Sequence, residues 1–107
     1  MDALAYKIID AADWREALAE GAYAGCQVDI ADGYIHLSTA DQLSETARKH
    51  YAGRENLMLL TVDLEALGDT IVWEPSRGGA LFPHIYGPLP VRAVTQAAPF
   101  PAPEGGV

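Results

Sequence analysis

The sequence contains a single cysteine, Cys26, so no internal disulfide bond can form. No group of cysteine and histidine residues has the spacing of a zinc site, and this scarcity fits a reducing compartment. Apolar runs are also short, because none approaches the ~20 residues needed to span a bilayer. The N-terminus lacks the basic-then-apolar order of a signal peptide. We therefore expect a cytoplasmic protein without a membrane partner.

Cations are scarce: the chain has 7 Lys and Arg residues against 15 Asp and Glu residues, which gives a formal net charge of -8 at pH 7. This charge repels a phosphate backbone at long range. The cations are also scattered, with only Arg48 and Lys49 adjacent, so no basic stripe with interleaved aromatic residues exists. These features exclude a nucleic-acid partner and leave room for a local site for one small anion.

Several well-known catalytic and nucleotide-binding motifs are absent as well. The sequence has no phosphate-binding glycine loop with its lysine, no dinucleotide fingerprint, no His-Glu-x-x-His and no Gly-x-Ser-x-Gly elbow. Its 107 residues, half of them apolar, are instead typical of one soluble globular domain. We expect that domain to cover residues 1–100, and residues 101–107 to form a disordered proline- and glycine-rich tail.

A first helix is predicted after Asp10, a good N-cap, and it ends at Gly21, a candidate C-cap. Residues spaced by 3 and 4 form its buried stripe, namely Ala11, Trp14, Ala17 and Leu18. Residues 21–33 contain three glycines and show no clear period. We read them as a loop with a short strand at Gln27 and Val28.

The remaining pattern alternates between strands and one further helix. A capping box at Thr39 and Gln42 begins a helix that runs from Ala40 to about Tyr51. The continuously apolar run at 57–62 is typical of a strand at the centre of a sheet. Strands are predicted at 4–9, 34–37, 57–62, 70–73 and 91–98. This order predicts an α+β domain in which two helices pack on a mixed, mostly antiparallel sheet.

Residues 73–90 form the segment richest in functional groups. Prolines at 75, 83, 88 and 90 fix φ and remove backbone donors, so the segment should be neither a helix nor a central strand. It is also too apolar for an idle loop. Two interpretations stay open: a rigid loop that binds a ligand, or a stiff crossing that plugs one end of the core. Its polar candidates are Glu74, Arg77, His84 and Tyr86.

The strand at 34–37 supplies the second group of candidates. Alternation places His36 on one face with Tyr34 and Ser38, and Ser38 and Thr39 precede a helix N-terminus whose free amides favour an anion. The alternative is a core histidine whose ring is satisfied by Ser38 or by a backbone carbonyl. We select His36, Ser38 and Thr39 as candidate site residues.

Two kinds of ligand are chemically compatible with these groups. Arg77, next to Gly78 and Gly79, suits a phosphate or carboxylate, because a guanidinium forks onto oxyanions; a surface salt bridge with Glu74 is the alternative. His36, His84 and Glu74 could together hold a catalytic zinc ion. Two histidines from distant segments are weak evidence for a metal, so we predict no metal site.

The motifs at 32–40 (Asp-Gly-Tyr-Ile-His-Leu-Ser-Thr-Ala), at 59–63 (Leu-Leu-Thr-Val-Asp) and at 73–90 resemble a small bacterial family called domain of unknown function 952 (DUF952). The resemblance extends from Tyr6 to about Pro99. It implies kinship with the ADP-ribosyltransferase-like fold, whose sheet is split, and with the C-terminal part of the RNA 2'-phosphotransferases. The chain departs from those enzymes, because Tyr6, Lys7 and Ile8 replace a His-Gly-Thr-like turn and the basic RNA-binding half is missing.

The resemblance implies a cleft between two half-sheets, with His36, Ser38 and Thr39 on one wall and the segment from Glu74 to Tyr86 on the other. Glu74 and His36 would be catalytic: Glu74 would orient a ribose hydroxyl or stabilise an oxocarbenium, while His36 would contact the nucleotide. The ligand-binding residues would be Ser38, Thr39, Arg77, His84 and Tyr86.

Two functions remain open at this point. In the first, the protein binds or transforms NAD or another small molecule that contains ADP-ribose. In the second, it is a noncatalytic ligand-binding or protein-interaction module that has lost catalytic residues and docks a partner through Leu81, Phe82 and Pro83. The sequence leaves open whether the protein is an enzyme.

Overall fold

A computed structural model of the chain describes residues 3–75 and 79–101. The candidate Arg77 and residues 102–107 of the predicted tail lie outside the described residues. In the described part, no helix has both the length and the apolarity required to cross a membrane.

Eight strands and three α-helices are described, together with two 3-10 segments at Leu64–Thr70 and Val91–Ala93. The strands are β1 (Leu4–Asp10), β2 (Ala22–Tyr23), β3 (Ile35–His36), β4 (Leu57–Asp63), β5 (Ile71–Pro75), β6 (Leu81–Ile85), β7 (Leu89–Pro90) and β8 (Val94–Phe100). The helices are α1 (Ala11–Glu20), α2 (Gln27–Asp32) and α3 (Ala40–His50). The α+β class is therefore confirmed.

Local capping explains where α1 ends and where α3 begins. Gln42 donates its backbone N–H to Thr39 Oγ1 at 3.3 Å, and Thr39 returns its own N–H to Gln42 Oε1 at 3.0 Å. This is the predicted capping box, and it starts α3. Gly21 ends α1 in the left-handed conformation with φ 88°, which a residue without Cβ adopts at little cost.

The strands form two three-stranded sheets, in the orders β1-β4-β8 and β3-β6-β5, and one two-stranded ribbon, β2-β7. Every described pairing is antiparallel. The apolar run at 57–62 is the central strand β4, as predicted. The chain after β3 joins the two larger sheets, because Leu37 donates to Pro83 and Ser38 then pairs with Tyr6.

The main core lies where side chains from both larger sheets meet. Leu60 and Val62 of β4 and Ile85 of β6 are all 0% exposed, and Ile35 and Leu37 point into the same cluster. This confirms the predicted alternation around β3. Burying side chains of this size contributes ~1.5–3 kcal/mol each, so the junction between the two sheets is held mainly by apolar packing. Trp14 and Ala17 of α1 belong to this core, whereas Leu18 is exposed, contrary to the prediction.

Strand β6 contradicts the expectation that the proline-rich segment contains no central strand. It lies between β3 and β5 and carries the buried Pro83 in its middle. The carbonyl of Pro83 accepts a hydrogen bond from Leu37. A residue's N–H and C=O point to the same side of its strand, so the donor that Pro83 lacks faces Leu37, beyond the end of β3. The proline therefore interrupts no ladder pair of the short strand β3.

The segment at 21–33 also differs from the prediction of a loop with a short strand. Residues Gln27–Asp32 form α2, and Ala22–Tyr23 form β2. Cys26 is the N-cap of α2, and Asp29, three residues later, accepts its backbone N–H at 2.9 Å. A helix of 6 residues is too short to show periodicity, which is why the pattern missed it.

Candidate functional site

The pairing of β3 with β6 brings the two candidate histidines together. His36 is the direct cross-strand partner of His84, and their ring centroids are 5.3 Å apart. The ring of Tyr34 stacks on His84 at 4.1 Å between centroids and lies 4.7 Å from His36. Tyr86 extends this cluster, with its ring 5.2 Å from Tyr34. Residues separated by about 50 positions in the sequence thus share one patch of the sheet.

Glu74 fixes the orientation of His84. In the β5–β6 pair Glu74 lies opposite Phe82, so His84 is its diagonal neighbour on the adjacent strand. Glu74 Oε1 lies 2.7 Å from His84 Nδ1 and accepts the hydroxyl of Tyr86 at 2.8 Å. Both hydrogen bonds lower the pKa of Glu74, and the bond from His84 has the larger effect. The hydrogen bond between Tyr86 and Glu74 also raises the pKa of the Tyr86 hydroxyl.

His36 is held by two carboxylates of α2. Its Nδ1 atom lies 2.6 Å from Asp29 Oδ1, and its Nε2 atom lies 2.9 Å from Asp32 Oδ2. Both ring nitrogens can donate at once only when the imidazole carries two protons. The ring of His36 is therefore occupied within the protein, by carboxylates rather than by Ser38 or a carbonyl.

Asp29 is the centre of a buried polar network. Its carboxylate, 2% exposed, accepts from the backbone N–H of Cys26 and of His36 and lies 3.2 Å from Lys7 Nζ. Burial alone raises the pKa of this carboxyl group, but the bond from His36, the charge of Lys7 and the two backbone donors outweigh it and lower the pKa well below the usual range. Asp29 thus remains ionised and ties α2 to β1 and β3.

A groove of about 1200 Å³ opens beside these clusters, between β1, α1, α2 and α3. Three predicted residues line it: His36, Ser38 and His84. Glu74 and Tyr86 do not, so Glu74 reaches the groove only through His84. The structure therefore unites Glu74, His84 and Tyr86 in one cluster with His36 beside it.

Two of the remaining predicted site residues, Ser38 and Thr39, make hydrogen bonds within the fold. The hydroxyl of Ser38 is 3.0 Å from that of Thr46 on α3, although Ser38 also lines the groove. Thr39 uses its side chain to cap α3 and does not line the groove. Arg77 lies outside the described residues.

Sequence reasoning missed three residues that shape the groove, namely Lys7, Tyr23 and Asp29. The available signal was the carboxylate at the third position after Cys26, which is the arrangement of a helix N-terminus. Nothing local marks the contact between Lys7 and Asp29, because 22 positions separate them.

The described residues include no group of three or more His, Cys, Asp or Glu side chains placed to hold a metal ion. His36, His84 and Glu74 were considered from the sequence as zinc ligands, and the hydrogen bonds already described explain why they are not placed to hold a metal. Glu74 points to His84 Nδ1, and both nitrogens of His36 face carboxylates of α2. The arrangement instead has the chemistry of a carboxylate-held imidazole, which accepts or donates a proton.

Comparison with known proteins identifies the family. A family model described as "Protein of unknown function (DUF952)" matches residues 8–97, most of the chain. The chain belongs to the DUF952 family. The chain is similar to protein CC0527 from Caulobacter crescentus. The crystal structure of CC0527 aligns with a TM-score of 0.92 and 50% sequence identity, over 97% of this chain and 91% of CC0527. The solution NMR structure of CC0527 aligns with a TM-score of 0.81 and 51% sequence identity, over 92% of this chain and 84% of CC0527. No curated protein matches this DUF952 chain.

Proposed function

We propose that this DUF952 protein binds a small molecule that carries hydroxyl groups, in the groove beside His84. The observation that supports this most is the pair formed by Glu74 and His84, in which a carboxylate outside the groove holds an imidazole that lines it. The same pairing of a carboxylate with a histidine orients general bases in many enzymes.

The bond to Glu74 determines what His84 can offer a ligand. Glu74 has a lowered pKa and is ionised at neutral pH, so its carboxylate accepts and His84 Nδ1 donates. In the neutral ring, Nε2 is then the acceptor. No other hydrogen bond to this ring is found within residues 3–75 and 79–101. Nε2 is therefore available to accept a hydrogen bond or a proton from a ligand hydroxyl.

The ligand class that the sequence resemblance implies is NAD or another molecule containing ADP-ribose. Its ribose hydroxyls suit the acceptor on His84. Its diphosphate has less support, because Asp10, Asp13, Glu16 and Glu20 line the same groove. Among the described groove cations, Arg54 donates to Asp10 at 2.7 Å and Lys7 is committed to Asp29. We therefore expect the nucleoside part of such a ligand to contribute most of the binding free energy.

Calorimetric titration with adenosine, ADP-ribose and NAD tests the proposal. We expect adenosine to bind at least as tightly as ADP-ribose at low salt, and the His84→Gln variant to bind adenosine about 10-fold more weakly, the loss expected for one hydrogen bond to the ligand. No heat with any of the three at millimolar concentration would reject this function.

The alternative function is a noncatalytic module that docks a protein. Its predicted surface, Leu81 with Phe82 and Pro83, is not an open loop, because Pro83 is buried in β6. Leu81 remains 46% exposed, as do Val28 and Ile30 on α2 at 61% and 67%. Positions two apart on a helix point in different directions, so Val28 and Ile30 do not form one patch. Size-exclusion chromatography and cross-linking in native extract test this function, and a strictly monomeric protein without a captured partner would count against it.

A further inference from the structure

A second recognition feature of the groove is the hydroxyl group of Tyr23. This residue lies in β2, where it pairs with Leu89 of β7, and it is 5% exposed. Tyr23 is one of the residues that line the groove, together with Lys7, Asp29 and His36. Within the described residues, its hydroxyl has no hydrogen-bond partner.

A buried hydroxyl without a partner needs an explanation in a native fold. The large majority of buried polar side-chain atoms are hydrogen-bonded, and phenylalanine would fill the same space without an unsatisfied group. Tyrosine at this position is therefore costly for folding alone. A binding partner that enters the groove and pairs with the hydroxyl removes that cost.

The surroundings of Tyr23 restrict the chemistry of that partner. Burial, followed by the negative charge of Asp29 and the nearby Cys26 and Tyr51, raises the pKa of the Tyr23 hydroxyl far above its ordinary value. The hydroxyl therefore stays protonated and acts as a donor. The ionised Asp29 beside it opposes an anion at this position.

Lys7 does not compensate for that repulsion. Lys7 Nζ donates to Asp29 Oδ1 at 3.4 Å and to the carbonyl of His36 at 2.8 Å, and it lies 3.2 Å from Asp29 Oδ2, so its charge is already paired with Asp29. The group that meets Tyr23 should therefore be uncharged and carry an acceptor, such as a carbonyl oxygen or a ring nitrogen.

We propose that Tyr23 is a specificity-determining residue of the groove, whose hydroxyl donates a hydrogen bond to a neutral amide carbonyl or heteroaromatic ring nitrogen of the ligand. This rests on the proposed function in that the groove is a ligand site. It adds a second contact of opposite polarity: His84 accepts from the ligand, and Tyr23 donates to it. A neutral nucleoside such as adenosine offers both hydroxyls and ring-nitrogen acceptors.

The first test compares the ligand-free proteins. Tyr23→Phe removes only the unsatisfied hydroxyl, so we expect the melting temperature to rise by about 4–8 °C, the shift typical of a stabilisation of this kind in a domain of this size. The control is Tyr6→Phe, which removes the hydroxyl of a half-buried tyrosine in the same groove and should change the melting temperature little. A lower melting temperature for Tyr23→Phe, together with a buried water bound to the Tyr23 hydroxyl in a crystal structure of the wild type, would overturn the proposal.

The second test measures binding by protein-observed NMR with adenosine, benzamide and benzoate. We expect benzamide to bind the wild type more tightly than benzoate does, and Tyr23→Phe to weaken adenosine and benzamide about 5- to 10-fold while leaving benzoate unchanged. Adenosine binding that depends on His84 but is unaffected by Tyr23→Phe overturns this inference and leaves the proposed function intact. Benzamide binding that depends on Tyr23, without binding of adenosine, ADP-ribose or NAD, supports this inference and rejects the proposed function.

Discussion

The Nδ1 atom of His36 lies 2.6 Å from Oδ1 of Asp29, and the backbone N–H of His36 donates to the same oxygen at 3.1 Å. One carboxylate therefore fixes both the position of β3 and the orientation of the imidazole on it. Lys7 on β1 links that strand to β3 through its ion pair with Asp29 and through a hydrogen bond to the carbonyl of His36. The groove wall that carries His36 depends on this one buried charge.

Replacing Asp29 by Asn should destabilise the protein strongly. The change leaves Lys7, 6% exposed, without its charged partner and weakens the bond to His36. Removing one member of a buried ion pair costs about 3–5 kcal/mol. Urea unfolding followed by circular dichroism measures the loss.

The matched control is Lys7→Met, alone and combined with Asp29→Asn. If the two residues act as a pair, the double variant loses less stability than the sum of the single variants, by more than about 0.5 kcal/mol. Strict additivity would mean that Lys7 and Asp29 contribute independently, and it would contradict the network described for them.

The stability of the protein should fall in acid through the same carboxylate. The pKa of Asp29 is lowered from its ordinary value of 3.8 in the folded state, so the unfolded state binds a proton first. Its stabilisation is fully present above about pH 5 and is lost as the pH falls through 3.8 toward the lower folded-state value. Urea unfolding at a series of pH values should show this decline, and Asp29→Asn should flatten it. An equally steep decline in Asp29→Asn would assign the effect to other groups.

Glycine at position 25 is required by the buried carboxylate as well as by the backbone. Gly25 has φ 108°, and a Cβ atom there would lie 2.8 Å from Asp29 Cβ. Gly33 also has a positive φ, 88°, but a Cβ there meets nothing within 4 Å. We expect Gly25→Ala to cost at least 1 kcal/mol more than Gly33→Ala, which carries only the left-handed strain of about 1–2 kcal/mol. Equal losses in thermal unfolding would mean that the packing against Asp29 imposes no constraint.

The hydrogen bond between Tyr86 and Glu74 should be visible in the ionisation of the phenol. Glu74 accepts that bond and raises the pKa of Tyr86, so Glu74→Gln should lower the pKa toward 10.0. The ring-carbon resonance of Tyr86, followed by NMR through an alkaline titration, reports this. An unchanged Tyr86 titration would mean that the bond does not persist in solution.

Local sequence signals predicted the parts of the fold that local physics determines. The capping box at Thr39 fixed the start of α3, and the apolar run of β4 indicated a central strand. The alternation around His36 also gave the correct buried face. The α+β class, which was predicted from the order of the elements, is confirmed, and so is the separate resemblance to DUF952.

Nonlocal contacts explain what the sequence did not predict. Asp29 looked like one acidic residue in an irregular segment, because its partners lie on β1 and β3. Pro83 argued against a central strand, and only the departure of the chain after β3 makes it acceptable there. The meeting of His36 with His84 depends on the β3–β6 register, which no spacing in the sequence encodes.

The most direct test of the account is the affinity of adenosine for the wild type and for two variants, His84→Gln and Glu74→Gln, measured by calorimetry. His84→Gln should weaken binding about 10-fold, and Glu74→Gln should weaken it less, because Glu74 acts through the orientation of His84. Thr95→Ala, an exposed hydroxyl on β8, provides the control and should bind as the wild type does. Adenosine affinity that is the same in all four proteins, or the absence of binding by adenosine, ADP-ribose and NAD, would contradict a ligand site at His84.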